Sequence, residues 1–527
     1  MKRWMAASLV PLLACGTADD PPAAETSTTA ESSSSAAETS TTGLTTSEGS
    51  APSSSGPADD TAAETSTGAE PPPIVPGIRA EYFADYHDAV VVRVEPAIDA
   101  NWGLEAPLPE LAEDFYSIRW SGWLTAPEAG TYTIATEADD GVRVWIDDAL
   151  VIDDWMPHFV TRNEASVTLG TEPVPLVVEY FEVDIEASAR LLWSSETLPE
   201  AVVPESALTT LEVPSDAPGP KPPYRNPVLA QDCPDPGVMA ADWAAQPGYY
   251  MVCTGGSFPV RYSRDLVRWT TTETRILPEG KPTWAANGNR NWAPELHRID
   301  DTVVAYFTTT DAQNRLCIGA AVADDPLGPY TESTGPLVQH PQGVIDATYF
   351  DDGRTRWLLY KIDGNSVGQP TPIRARALAP DGLSFAPGSE AIDLITNDPG
   401  SFEGGVVEAM WVVPHADMLY MFYSANVYDN RYRTSVARAP SMAGPWEKRG
   451  STVLTNDEHW VGPGHGSVLD VGGTDWFVYH AWLNAGNGTH LQREGRHVLL
   501  DRIDWVDGWP VIGDGTPSYA YGPWPGE

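Results

Sequence analysis

Apolar and polar residues alternate in short runs from residue 77 onward. Tyr116-Ser117-Ile118-Arg119-Trp120, Thr131-Tyr132-Thr133-Ile134 and Val142-Arg143-Val144-Trp145-Ile146 share a two-residue period. That period sends successive side chains to opposite faces of a pleated strand, so each run predicts a strand with one buried face. Gly, Pro, Asp and Asn close most runs, and helical periodicity is scarce. The predicted fold class is all-β. Residues 77–210 read as a β-sandwich, and a Pro-rich linker at 211–223 follows.

The last 300 or so residues repeat. Five aromatic-rich strands carry Cys253, Tyr306, Tyr360, Tyr423 and Tyr479 at equivalent positions, in steps of 53, 54, 63 and 56 residues. Roughly fifty residues is one four-stranded propeller blade, so 224–527 is predicted to be a five-bladed β-propeller. About fourteen residues before the last four markers stand Trp292, Asp346, Glu408 and His465, and Asp235 stands eighteen before the first. If each opens the innermost strand of a blade, three acids, a Trp and a His converge on one axial funnel.

Before residue 77 the pattern changes. Lys2 and Arg3 precede the mostly apolar Trp4 to Ala14, too short to span a bilayer, so 1–14 reads as a signal peptide. It ends in Leu12-Leu13-Ala14-Cys15, which resembles the bacterial lipobox and implies acylation of Cys15. Residues 17–74 are Ser, Thr, Ala, Glu and Pro with ten acids and no Lys or Arg. Such a stretch buries too little apolar surface to offset its chain entropy, so 15–76 is expected to be a disordered tether. An exported, lipid-anchored chain at the cell surface or outer membrane is the resulting expectation.

The net charge of −43 repels phosphate backbones and argues against nucleic acid as a partner. Cys233, Cys253 and Cys317 are an odd number, so at least one is free or paired between chains. Cys233 and Cys253 are candidates to bridge neighbouring strands. A monomer is expected.

The segments Ala80-Glu81-Tyr82-Phe83, Arg119-Trp120-Ser121-Gly122, Gly130-Thr131-Tyr132-Thr133, Ala138-Asp139-Asp140-Gly141-Val142 and Val178-Glu179-Tyr180 resemble the protective-antigen-type β-sandwich. In some adhesins of that type a paired Asp binds calcium that contacts sugar. The resemblance implies that role for Asp139 and Asp140, which otherwise only shape a turn.

Pro234-Asp235-Pro236, Trp292-Ala293-Pro294-Glu295, Ile345-Asp346-Ala347-Thr348, Val407-Glu408-Ala409-Met410 and Gly464-His465-Gly466-Ser467 resemble glycoside hydrolase family 43, in family order. Asp501-Arg502-Ile503-Asp504-Trp505 extends the match, and Met410 departs from it where the family usually has Pro. The resemblance implies inverting hydrolysis of arabinose- or xylose-containing polysaccharides. Inversion needs an acid on one side of the bond and a base on the other, roughly 6.5–9.5 Å apart. Asp235 matches the general base and Glu408 the general acid, whose pKa should be raised by burial and negative neighbours. Asp346 matches the carboxylate that orients and tunes the acid. Glu295 and Glu403 are weaker competitors.

The family also implies a calcium or other axial ion near His465, held mostly through water. Trp292, Phe258 and Arg496 are candidate sugar contacts. Two other readings stand beside this one. A retaining fructan hydrolase would show Asn-Asp-Pro-Asn where this chain has Cys233-Pro234-Asp235-Pro236. A non-catalytic surface adhesin would require a degenerate acid or base.

Overall fold

The structure, a computed structural model, describes residues 74–211 and 218–527. Cys15 and the tether before Ile74 lie outside the described residues.

The first domain packs an eight-stranded sheet on a five-stranded one. Tyr116–Leu124 is central, pairing with Ile78–Ala84, Val174–Glu182 and Leu208–Leu211. The expected strand runs at 116–120, 131–134 and 142–146 all lie in strands of this sandwich. A strand at Ile74–Pro76 pairs with Leu208–Leu211, so the sandwich starts three residues before the expected Gly77 and ties its ends together. Its core is aromatic, with Tyr82, Tyr116, Trp120, Tyr132 and Tyr180 buried. A buried phenol or indole must place its polar atom. Glu95 serves two of them, accepting from Tyr82 Oη at 2.6 Å and Trp120 Nε1 at 2.8 Å.

Five further sheets form the five-bladed propeller. The blades' inner strands are Gly237–Ala241, Trp292–Ile299, Val344–Asp351, Val407–His415 and Trp460–Val471. They neighbour one another in order around the axis, and the fifth returns to the first. The markers Tyr306, Tyr360, Tyr423 and Tyr479 lie on the second strands, and Cys253 directly follows the second strand of blade 1. The repeat read from sequence is therefore the second strand, facing both core and neighbouring blade. The segment entering the propeller closes the ring: Leu229 and Val498 of blade 5 exchange backbone hydrogen bonds, and Leu500 N–H donates to Asn226 Oδ1 at 2.8 Å. Cys233 and Cys253 form a disulfide, and Cys317 is free and buried.

Sandwich and propeller share an interface. Tyr86 and Phe181 pack with Trp524 in one apolar cluster. His87 Nε2 meets Asp265 Oδ2 at 2.8 Å, and Arg268 pairs with Asp85 at 2.6 Å. Gly219 fits there because a Cβ would lie 2.6 Å from Tyr86 O.

Candidate active site

Each blade turns one residue on or just before its inner strand into the left-handed region: Asp235 (φ 55°), two residues ahead of its strand, and Ala293 (40°), Asp346 (55°), Ala409 (58°) and His465 (43°) within theirs. In blades 2 to 5 the pairing with the second strand slips at this point, as in a β-bulge. Asp and His tolerate this conformation better than most side chains, and a bulge re-aims a side chain out of the ladder. Gly237 lets the blade 1 segment pass blade 2, where a Cβ would stand 2.3 Å from Pro294 O.

A bulge frees its backbone N–H, which must find a partner when buried. The partner comes from the second strand of the preceding blade or, for Thr254, from two residues past its end. Ala293 N–H donates to Thr254 Oγ1 (2.7 Å) and Asp346 N–H to Thr308 Oγ1 (3.1 Å). His465 N–H donates to Ser424 Oγ (2.8 Å), and Asp235 N–H to His480 Nδ1 (3.1 Å), closing the circle. Accepting that bond requires a neutral His480, and burial and Arg496 hold it well below the usual histidine range.

Asp235, Asp346 and Glu408 line one cavity of about 300 Å³, together with Trp292, His465 and Arg496. Asp235 Oδ1 faces Arg496 Nη1 at 3.0 Å and His465 Nδ1 at 3.3 Å. Its Oδ2 accepts from Thr254 Oγ1 at 2.5 Å. Burial alone would push this carboxyl up, but the Arg496 and His465 charges outweigh it and hold Asp235 well below the ordinary range. The same contact works in reverse on His465, where burial is outweighed by Asp235 and the imidazole is pushed up to about 9. Asp346 is raised by burial, which His465 and Lys361 oppose and Glu408 and Asp235 reinforce. Its Oδ2 accepts from Ala409 N–H at 3.1 Å. Glu408 accepts from Tyr432 Oη at 2.9 Å on Oε1 and from Lys361 Nζ at 2.6 Å on Oε2.

Other candidates lie elsewhere. Glu295 pairs with His297 at 2.8 Å, while Glu403 is bound by Tyr423 and Lys448, and neither lines the cavity. Phe258 is not a sugar contact. Its loop turns the ring inward among Val260, Val303 and Phe307, where it is fully buried. Burying a phenyl ring gains about 1.5–3 kcal/mol over leaving it at a wet rim. Arg496 does reach a carboxylate, that of Asp235, and its guanidinium also lies 5.5 Å from the Tyr428 ring centroid.

The sequence reading missed Lys361, Tyr432, Thr254 and His480. A signal for three of them was present: Thr254, Lys361, Ser424 and His480 each directly follow a repeat marker.

Asp139 and Asp140 are buried in the sandwich with Glu182, which the sequence reading also missed. Their carboxylates form the one group of three ligating side chains among the described residues. Burial comes first in pushing Glu182 up to about 9 and Asp140 to about 6. Glu182 Oε1 is buried without a hydrogen-bond partner, and oxygen-only donors suit a hard cation such as calcium. Among the described residues no such group includes His465, whose Nδ1 faces Asp235 at 3.3 Å.

A model for glycosyl hydrolases family 43 matches residues 224–510, and one for the PA14 domain matches 75–207. A probable arabinan endo-1,5-alpha-L-arabinosidase C of Aspergillus flavus is 26% identical over 314 residues, covering 51% of this chain and 91% of that protein. The extracellular exo-alpha-(1->5)-L-arabinofuranosidase ArbA of Cellvibrio japonicus is 24% identical over 305 residues, with 50% and 82% covered. The anti-sigma-I factor RsgI3 of Acetivibrio thermocellus is 36% identical over 148 residues, which are 28% of this chain and only 22% of that relative. A solved thermostable family-43 glycoside hydrolase superposes with a TM-score of 0.50 at 26% identity, covering 57% of this chain and 99% of that one.

Proposed function

The chain belongs to the glycosyl hydrolases of family 43, and from that premise we propose that it cleaves arabinose-containing polysaccharides of the arabinan type with inversion. The names of its arabinan-cleaving relatives support this substrate class over xylose polymers. Relatives named as extracellular support export.

In this reading Asp235 is the base. It accepts a proton from water as the water oxygen attacks the anomeric carbon, and a carboxylate held ionised by Arg496 and His465 suits that task. Glu408 is the acid that protonates the departing oxygen. Asp346 orients it through the Ala409 N–H, one residue away. The observation that carries the reading is the convergence of these three carboxyls, from three blades, on one cavity.

Asp235→Asn and Glu408→Gln should each slow arabinan hydrolysis about 10²–10⁴-fold while folding is retained. NMR of the first product should show the inverted anomer. A retained anomer would remove the base role from Asp235. Full activity in both variants would sink the assignment.

We further propose that Asp139, Asp140 and Glu182 hold calcium in the sandwich. Bound calcium would neutralise three carboxylates that otherwise crowd one buried site. Calcium should raise the melting temperature of the intact protein and EDTA should lower it, with neither effect in Asp139→Asn/Asp140→Asn. Equal responses in both proteins would exclude the site.

A further inference from the structure

Blade 3 breaks the ring of bulge caps. In register with the residue before each bulge, the second strands carry Thr308, Lys361, Ser424 and His480. Thr308, Ser424 and His480 accept the freed N–H of the next blade. Lys361 cannot, because an ammonium has no acceptor. The N–H it leaves, Ala409, is taken by the Asp346 carboxylate instead. A threonine would have served the frame at less desolvation cost.

Lys361 is nonetheless buried, with its side chain 1% exposed. Taking an ammonium out of water costs several kcal/mol unless it is well paired. Its partners are Glu408 Oε2 at 2.6 Å and Asp363 Oδ1 at 3.2 Å, and Asp346 also bears on it electrostatically. Glu408, Lys361 and Asp363 all line the funnel. The only departure from the capping scheme therefore places a buried cation against the acid.

We propose that Lys361 is a positioning residue for the general acid, meeting the negative charge that appears on Glu408 as its proton leaves. The proposal rests on the assignment of Glu408 above. As the glycosidic bond breaks, its electron pair stays on the leaving oxygen, and the Glu408 proton moves to that oxygen. Glu408 is left a carboxylate, with Lys361 on Oε2 and Tyr432 on Oε1, the arrangement seen here. The cation gains its full partner only as the proton departs, so it stabilises the transition state more than the ground state.

The test is leaving-group dependence in the full-length protein. Aryl α-L-arabinofuranosides are compared, one with a 2,4-dinitrophenyl group that departs without protonation and one with a phenyl group that needs it. Lys361→Met should lose about 10²-fold in kcat on the phenyl substrate and only a few-fold on the dinitrophenyl one. Lys361→Arg should restore part of the loss. Lys361→Gln, which keeps a donor without charge, should behave as Lys361→Met and stands in for it if Met does not fold. Equal losses on both substrates in a folded variant would reduce Lys361 to a structural cation and overturn the proposal. Glu408→Gln is the control. If it too lacks leaving-group dependence, the acid assignment has failed, whereas if it alone shows the dependence, the Lys361 proposal has failed by itself.

Discussion

Asp235 is a carboxylate held ionised in a place that disfavours charge. Burial works against its anion, and Arg496 at 3.0 Å and His465 at 3.3 Å more than compensate. A base must be ionised to take a proton, so the acid limb of activity reports on this balance. Removing Arg496 leaves burial and His465 to contend, and the Asp235 pKa must rise. Arg496→Met should therefore move the acid limb of kcat/KM to higher pH and lower activity at pH 5 more than at pH 8. An unmoved limb would mean that Arg496 does not set the charge of Asp235. Arg496 is also a reason to read position and role separately. A sugar contact was one expectation for it, and its nearest polar partner is the protein's own carboxylate.

At the scale of strands, the site is made by four bulges and, in blade 1, by the turn that leads into the inner strand. The repeat was legible because an aromatic or Cys marker recurs on or just after each second strand at near-regular spacing, with Asp346 and Glu408 at nearly the same offset from it and Asp235 a few residues farther back. The offset conceals a one-residue difference. Asp235, Asp346 and His465 occupy the left-handed position itself, whereas Trp292 and Glu408 come just before it, with Ala293 and Ala409 in the turn. A period-two pattern would put those two sets on opposite faces, and the bulge brings both to the funnel. Lys361 was passed over because a lysine within a strand ordinarily faces water, although it directly follows a repeat marker as Ser424 and His480 do. Only its three-dimensional alignment with Thr308, Ser424 and His480 exposes it as the exception. Phe258 misled for the opposite reason. Gly255-Gly256-Ser257 has a surface composition, yet packing against Phe307 decides where the next ring goes.

Across the whole molecule, the sandwich is held to the propeller by an apolar cluster around Trp524 and by ion pairs at its edge. Most of those pairs are well exposed and contribute little. His87–Asp265 differs, with side chains 14% and 5% exposed. Burial would push Asp265 up, but His87 and the backbone N–H groups of Arg268 and Val267 outweigh it and hold the carboxyl below its ordinary value. A depressed carboxyl stabilises the fold fully above its unfolded pKa, and that stability drains as pH falls through the folded value. The interface should therefore weaken in acid, below about pH 4. Asp265→Asn keeps an acceptor for the backbone N–H groups but has no charge to lose. It should be less stable than the parent at pH 7 by on the order of 1–2 kcal/mol, and the gap should narrow at pH 3. Melting temperatures of the two proteins at both pH values decide the matter. A gap of constant size would show that packing around Trp524 holds the domains together and that the buried pair only decorates the seam.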